Sequence, residues 1–331
     1  MDTGKTLRSK IIISVALGLI VVIALSLFSD IKAVGSSLER FDWRMLPAIL
    51  GFTILNYVLR WLKWDYYLRK LNMGTNVSHG QSGLLFTAGM VMAVTPGKVG
   101  EVLKSSLLKR LNGTPISRSA PIVLAERLTD GLAMLLLMAT GLAIYPAARP
   151  AFVALVILSV LALAVLQNRR IALALITWME TKPRLSRFAR PAHTFYESSA
   201  ELLSGRLLVV STVISFISWA GECVAMYFVL RGLGVAPSGL LLLQSTFIFA
   251  ASTLFGLVSF LPGGLGVSEA SSAGLITALV GLPIAAATAA TFVIRFCTLW
   301  FGVLIGSIAL GIFARRYGLS DTENVSVPAQ Q

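Results

Sequence analysis

Thr95-Pro96-Gly97-Lys98-Val99-Gly100-Glu101 and Leu261-Pro262-Gly263-Gly264-Leu265-Gly266-Val267-Ser268-Glu269 are two versions of one helix-breaking motif, set in apolar sequence half a chain apart. Both read Pro-Gly-x-apolar-Gly followed by a Glu. The prolines lie 166 positions apart, and after a two-residue insertion in the second copy the offset becomes 168, matching Glu101 to Glu269 and Arg127 to Arg295. The Glu-to-Arg spacing is therefore 26 in each half. Proline cannot continue a helix and glycine admits backbone conformations that other residues avoid, so each motif forces a break. Broken helices at corresponding positions of two halves are the sequence pointer to a transporter's substrate site.

The surrounding chain belongs in a bilayer. Hydrophobic residues make up 56% of it and charged residues 13%, outside the range of soluble domains. Spans of about 20 apolar residues are expected at 11–28, 45–66, 120–146, 150–168, 207–230 and 283–313, with broken apolar blocks at 82–108 and 240–281. The fold class is thus an all-α integral membrane protein with about six full spans plus two Pro-Gly-broken, re-entrant helical hairpins. The stretch 11–28 is too long for a signal-peptide core and reads as a retained helix.

The net charge of +13 raises nucleic acid as a partner, but the distribution of charge argues against it. Lys and Arg gather at one set of helix ends, which orients the chain. Lys5, Arg8 and Lys10, then Arg60, Lys63, Arg69 and Lys70, then Lys98, Lys104, Lys109, Arg110 and Arg118 read as cytoplasmic, as do the basic loop 169–206 and Arg315 with Arg316. Both termini then face the cytoplasm. Each broken hairpin returns the chain to its starting side, so the three spans between the motifs invert the second unit. The expected organisation is an N-terminal helix and external loop (1–44), a first repeat (45–146), a connecting helix and basic loop (147–206), an inverted second repeat (207–316) and a disordered tail (317–331).

Pro96, Gly97, Gly100, Pro262, Gly263, Gly264 and Gly266 shape the breaks, whose restarting helices would present free N–H groups and a positive dipole end to an anion. A tight turn that only lets helices pack closely is the alternative. Lys98 stands at the mouth of the first break, and Ser268 in the second. Glu126, Arg127 and Asp130 lie in one apolar helix and Arg295 in another, where an ionisable group costs about 2.5 to 3.5 kcal/mol and must pair or line a wet cavity. Arg127 reaches Asp130 at i+3. The matched spacing suggests Glu101 with Arg127 and Glu269 with Arg295, as permanent clamps, moving gates or phosphate ligands. Glu222, mid-helix, is a candidate for proton coupling or a packing role. Arg60 reads as an interface anchor, and Gly302 with Gly306 as a close-packing pair. Cys223, Cys297, His79 and His193 form no metal-binding pattern, and neither a metal nor a cofactor is expected.

At TPGKVGE, ERLTD and LPGGLGVSE the chain resembles the flippase-like family named for the transmembrane region of bacterial lysylphosphatidylglycerol synthase, over roughly residues 10–315. The resemblance implies a bacterial inner-membrane protein that moves an anionic lipid or a polyprenyl-linked headgroup between leaflets. The aminoacyl-transfer domain of the synthase has no counterpart here, so lysine transfer is not carried over and the chain is not read as an enzyme. A transporter of a small soluble anion, or a membrane accessory subunit of a glycosyltransferase or lipid-modifying enzyme, are the competing readings.

Overall fold

A computed structural model describes residues 31–95, 101–182 and 186–318. The expected first span at 11–28, the tail from 319, and the motif residues Pro96, Gly97, Lys98 and Gly100 lie outside the described residues. Among the described residues every regular element is helical.

In chain order these are α1 (Ile31–Glu39), α2 (Leu46–Lys70), α3 (His79–Gly89), α4 (Leu103–Asn112), α5 (Ile116–Ala139), α6 (Arg149–Gln167), α7 (Arg169–Glu180), α8 (Ser186–Leu202), α9 (Gly205–Gly232), α10 (Gly239–Val258), α11 (Val267–Val280), α12 (Ile284–Arg295) and α13 (Phe301–Tyr317). A π-helical turn, Phe296–Trp300, joins α12 to α13. Among the described residues, five helical stretches are long and apolar enough to cross a membrane: Trp43–Lys70, Pro146–Gln167, Gly205–Gly232, Gly239–Val258 and Ile284–Tyr317.

The first arm of the second broken block, α10, runs 20 residues, about 30 Å at 1.5 Å per residue, enough to cross a bilayer core. Conversely α5 has 24 residues but carries Glu126, Arg127 and Asp130, so it is not one of the five apolar stretches. It is sheathed by α4, α6, α8, α9 and α10. The basic loop expected at 169–206 contains two helices, α7 and α8, and α8 packs on α5.

The centre of the bundle is α2 against α9. Asn56 donates to the Ser218 carbonyl at 3.1 Å and the Ser218 hydroxyl donates back to the Asn56 carbonyl at 3.2 Å, so each satisfies the other across the helix contact. Helix α13 lies on α3 and the turn Met90–Met92 that follows it. Gly306 permits this approach, because a Cβ there would sit 2.6 Å from the Val91 amide nitrogen and 2.9 Å from the Thr87 carbonyl oxygen. At Gly302 a Cβ would lie 2.8 Å from the Tyr57 hydroxyl, so the GxxxG pair serves packing within this chain.

Candidate functional site

The second break is resolved in detail. After Leu261, Pro262–Gly264 makes one tight turn, and Gly263, Gly264 and Gly266 adopt φ of 61°, 67° and 88°, values that disfavour any side chain. A Cβ on Gly264 would lie 2.9 Å from the Gly256 Cα, so the turn also brings its flank against α10. Glu269 Oε2 accepts the Gly266 N–H at 2.7 Å. Its Oε1 accepts from Arg295 Nε at 2.5 Å, and an Arg295 NH2 group donates to the Gly263 carbonyl at 2.7 Å. One carboxylate and one guanidinium therefore stitch both sides of the break to α12. The positive start of α11 is occupied by the chain's own Glu269, so it does not stand open to a ligand anion.

The segment leading into the first motif packs on the second break. Val94, two residues before Pro96, clusters with Leu265, Leu299 and Val303, and a Cβ on Gly263 would come within 3.4 Å of the Val94 Cα.

In the first half the matching Glu and Arg also approach, Arg127 NH2 lying 3.1 Å from Glu101 Oε2 and 3.4 Å from Asp130 Oδ2. These are ion pairs by distance: among the described residues Arg127 Nε and NH2 have no hydrogen-bond partner, whereas Arg295 Nε and one of its NH2 groups both donate. Two lysines complete the cluster. Lys104 Nζ lies 2.5 Å from Glu126 Oε2 and 3.7 Å from Glu101 Oε2. Lys63 Nζ donates to Asp130 at 2.6 Å, Ser215 at 2.6 Å and Thr129 at 3.2 Å. Among the described residues, three cations thus face three carboxylates inside an apolar bundle, the condition under which buried charges are tolerated.

Lys63 and Lys104 correct the charge map drawn from sequence, which put both at the cytoplasmic surface. They are 0% and 2% exposed. Lys104 packs beneath Trp64 and Phe86, its Nζ 4.7 and 5.2 Å from the ring centroids.

Between this cluster and the second break lies a cavity of about 90 Å³. Glu101 and Lys104 reach it from one side, Ser268, Ser272 and Arg295 from the other, and Asn56, Arg60, Trp219 and Glu222 form its wall. Glu222 accepts a hydrogen bond from Thr53 at 3.2 Å. Arg60 is not the interface anchor the sequence suggested: its guanidinium sits between the Trp219 and Phe86 rings, 5.4 and 6.0 Å from their centroids. Glu126, Arg127, Asp130 and the turn glycines support the cavity from behind rather than lining it.

A chain whose described residues are all-helical, with five bilayer-length apolar stretches among them and a charged, partly hollow centre, is a multi-pass integral membrane protein. Its family follows from comparison. The model of the lysylphosphatidylglycerol synthase transmembrane region matches residues 11–306, and the chain belongs to that family. It is similar to a UPF0104 membrane protein of Methanothermobacter thermautotrophicus, 26% identical over 90% of this chain and 92% of the relative. A UPF0104 membrane protein of Pyrococcus horikoshii is also 26% identical, over 89% of this chain and 94% of its own length.

Proposed function

We propose that this chain is a membrane transporter that moves an anionic lipid, or a lipid-linked headgroup, between leaflets by alternating access. The carrying observation is the central cavity, walled by Arg60, Glu222 and Arg295 and placed beside the second Pro-Gly break. Concave, mostly apolar sites with a few convergent polar groups are where ligands bind.

Two inverted repeats, 45–146 and 207–316, would supply the alternation. Their register supports this beyond the motifs. Helices α4 and α11 both end on a left-handed glycine with φ of 79°, Gly113 and Gly281, and the next helices both start after a proline, Pro115 and Pro283. These pairs keep the offset of 168. Packing is correspondingly reciprocal: α2 lies on α9, α5 on α10, and α13 on α3.

In this reading Pro262, Gly263, Gly264 and Gly266 form a rigid break held by Glu269 and Arg295, with Ser268 on its cavity side. Pro96, Gly97 and Gly100 form the counterpart, tied by Glu101 and Arg127, and Lys98 attracts headgroups at its mouth. Glu126 and Asp130 keep the core neutral, and Glu222 is the group placed to couple a proton. The chain would sit in a bacterial inner membrane with both termini cytoplasmic, with a lipid-modifying enzyme as a candidate partner.

The test is headgroup accessibility in proteoliposomes holding fluorescent lipids of several headgroup classes. The reading expects faster exchange of an anionic lipid than of a zwitterionic one, lost in Arg295→Ala. No acceleration of any lipid by folded protein would refute it and favour a soluble anion or an accessory role.

A further inference from the structure

The cavity wall carries polar groups that no described residue satisfies. Among the described residues, Arg60 Nε and Trp219 Nε1 are buried N–H donors without a hydrogen-bond partner, and Asn56 Oδ1 is a buried acceptor without one. All three residues line the same cavity. Among the described residues Arg60 also makes no ion pair, whereas Arg127 and Arg295 each engage a carboxylate. Orphaned buried polar groups are rare and each calls for an explanation.

We infer that Arg60, Trp219 and Asn56 form the recognition set of the cavity, and that its ligand is a phosphate ester whose substituent carries a hydroxyl or ammonium group. The inference rests on reading the cavity as a headgroup site, and adds which residues read the headgroup and what they read. Arg60 and Trp219 offer N–H donors to anionic phosphate oxygens, a match that guanidinium geometry favours. Asn56 Oδ1 and the neighbouring Glu222 carboxylate offer acceptors, which a bare phosphate leaves unfilled and a hydroxyl or ammonium group fills. Phe86 and the Trp219 ring hold the guanidinium between them, so it is pre-positioned and its rotamer freedom is already lost before the ligand arrives.

The ligand chemistry has two sources, a lipid headgroup and a free glycerol phosphate, and the test separates them. Purified protein is titrated with sn-glycerol 3-phosphate, inorganic phosphate, and nanodisc lipids differing only in headgroup, phosphatidylglycerol against phosphatidylmethanol. Arg60→Met, Arg60→Lys and Trp219→Phe are compared with the unmutated chain, their folding checked by gel filtration and thermal melting.

Loss of a hydrogen bond to a charged group should weaken binding about tenfold or more in Arg60→Met, with partial recovery in Arg60→Lys. Trp219→Phe, which keeps the ring and removes the donor, should also bind more weakly. Phosphatidylglycerol should outbind phosphatidylmethanol. Arg60-dependent binding of soluble glycerol phosphate without any lipid preference would uphold the recognition set and overturn the lipid reading. Binding that is equal in Arg60→Met and the unmutated chain would overturn the recognition set alone, leaving those groups to water. No binding of any probe would overturn both.

Discussion

Substituting Lys63 by Met tests whether the buried charges are a balanced set. Lys63 is 0% exposed and its ammonium serves Asp130, Ser215 and Thr129, while Asp130 keeps Arg127 at 3.4 Å as its other cation. Among the described residues, removing Lys63 leaves the carboxylates of Glu101, Glu126 and Asp130 with Lys104 and Arg127 as their ion-pair partners. Breaking one partner of a buried pair costs about 3 to 5 kcal/mol, whereas replacing both by apolar groups of similar volume is close to neutral. At roughly 2 °C per kcal/mol for a chain of this size, Lys63→Met should lower the apparent melting temperature by about 6 to 10 °C. The double variant Lys63→Met/Asp130→Leu should recover most of that loss, since Arg127 still has Glu101 at 3.1 Å. Fluorescence-detected gel filtration after heating in detergent reads both. A Lys63→Met protein that melts within a degree of the unmutated chain, or a double variant no better than the single, would refute the charge-balance reasoning.

Three further predictions follow from the same geometry. Gly306→Val places side-chain carbon against the Val91 and Thr87 backbone, so a loss of about 1 to 3 kcal/mol is expected, read as a lower melting temperature. Gly266→Ala keeps space around the Cβ but forces a side chain onto φ of 88°, a strain of about 1 to 3 kcal/mol; an unchanged melting temperature would show that the turn can relax. Arg295→Lys preserves the charge beside Glu269 but cannot hold both Glu269 and the Gly263 carbonyl in one fork. It should fold and lose most lipid exchange, and full exchange by that variant would remove Arg295 from the mechanism.

The parts legible in the sequence are those with a local signature. Glu269 and Arg295 could be paired because each keeps a fixed distance from an unmistakable break, and composition alone placed the chain in a bilayer. Lys63 and Lys104 were not legible by counting charges near helix ends, because a four-carbon stem can turn inward as readily as outward. A signal existed for Lys104, which stands three residues after Glu101 on the same helical face. For Lys63 none did, since Asp130 and Ser215 come from other helices. Arg60 was misjudged for the same reason: its depth along α2 was readable, and the aromatic rings that hold it over a cavity were not. The matched Gly113/Gly281 and Pro115/Pro283 pairs were present in the sequence, yet each is a common helix-boundary residue. Their meaning came only when both were seen to close and open the same kind of helix.

Alternating access is the central claim, and its most direct measurement is two-sided labelling of the cavity. With Cys223 and Cys297, both buried, replaced by Ser, a single cysteine at the cavity-lining position Ser252 is exposed to a membrane-impermeant thiol reagent from either face of oriented vesicles. The account predicts labelling from both faces, with the balance shifted by an anionic lipid and the shift abolished in Arg295→Ala. Labelling from one face alone, whatever lipid is present, would contradict it.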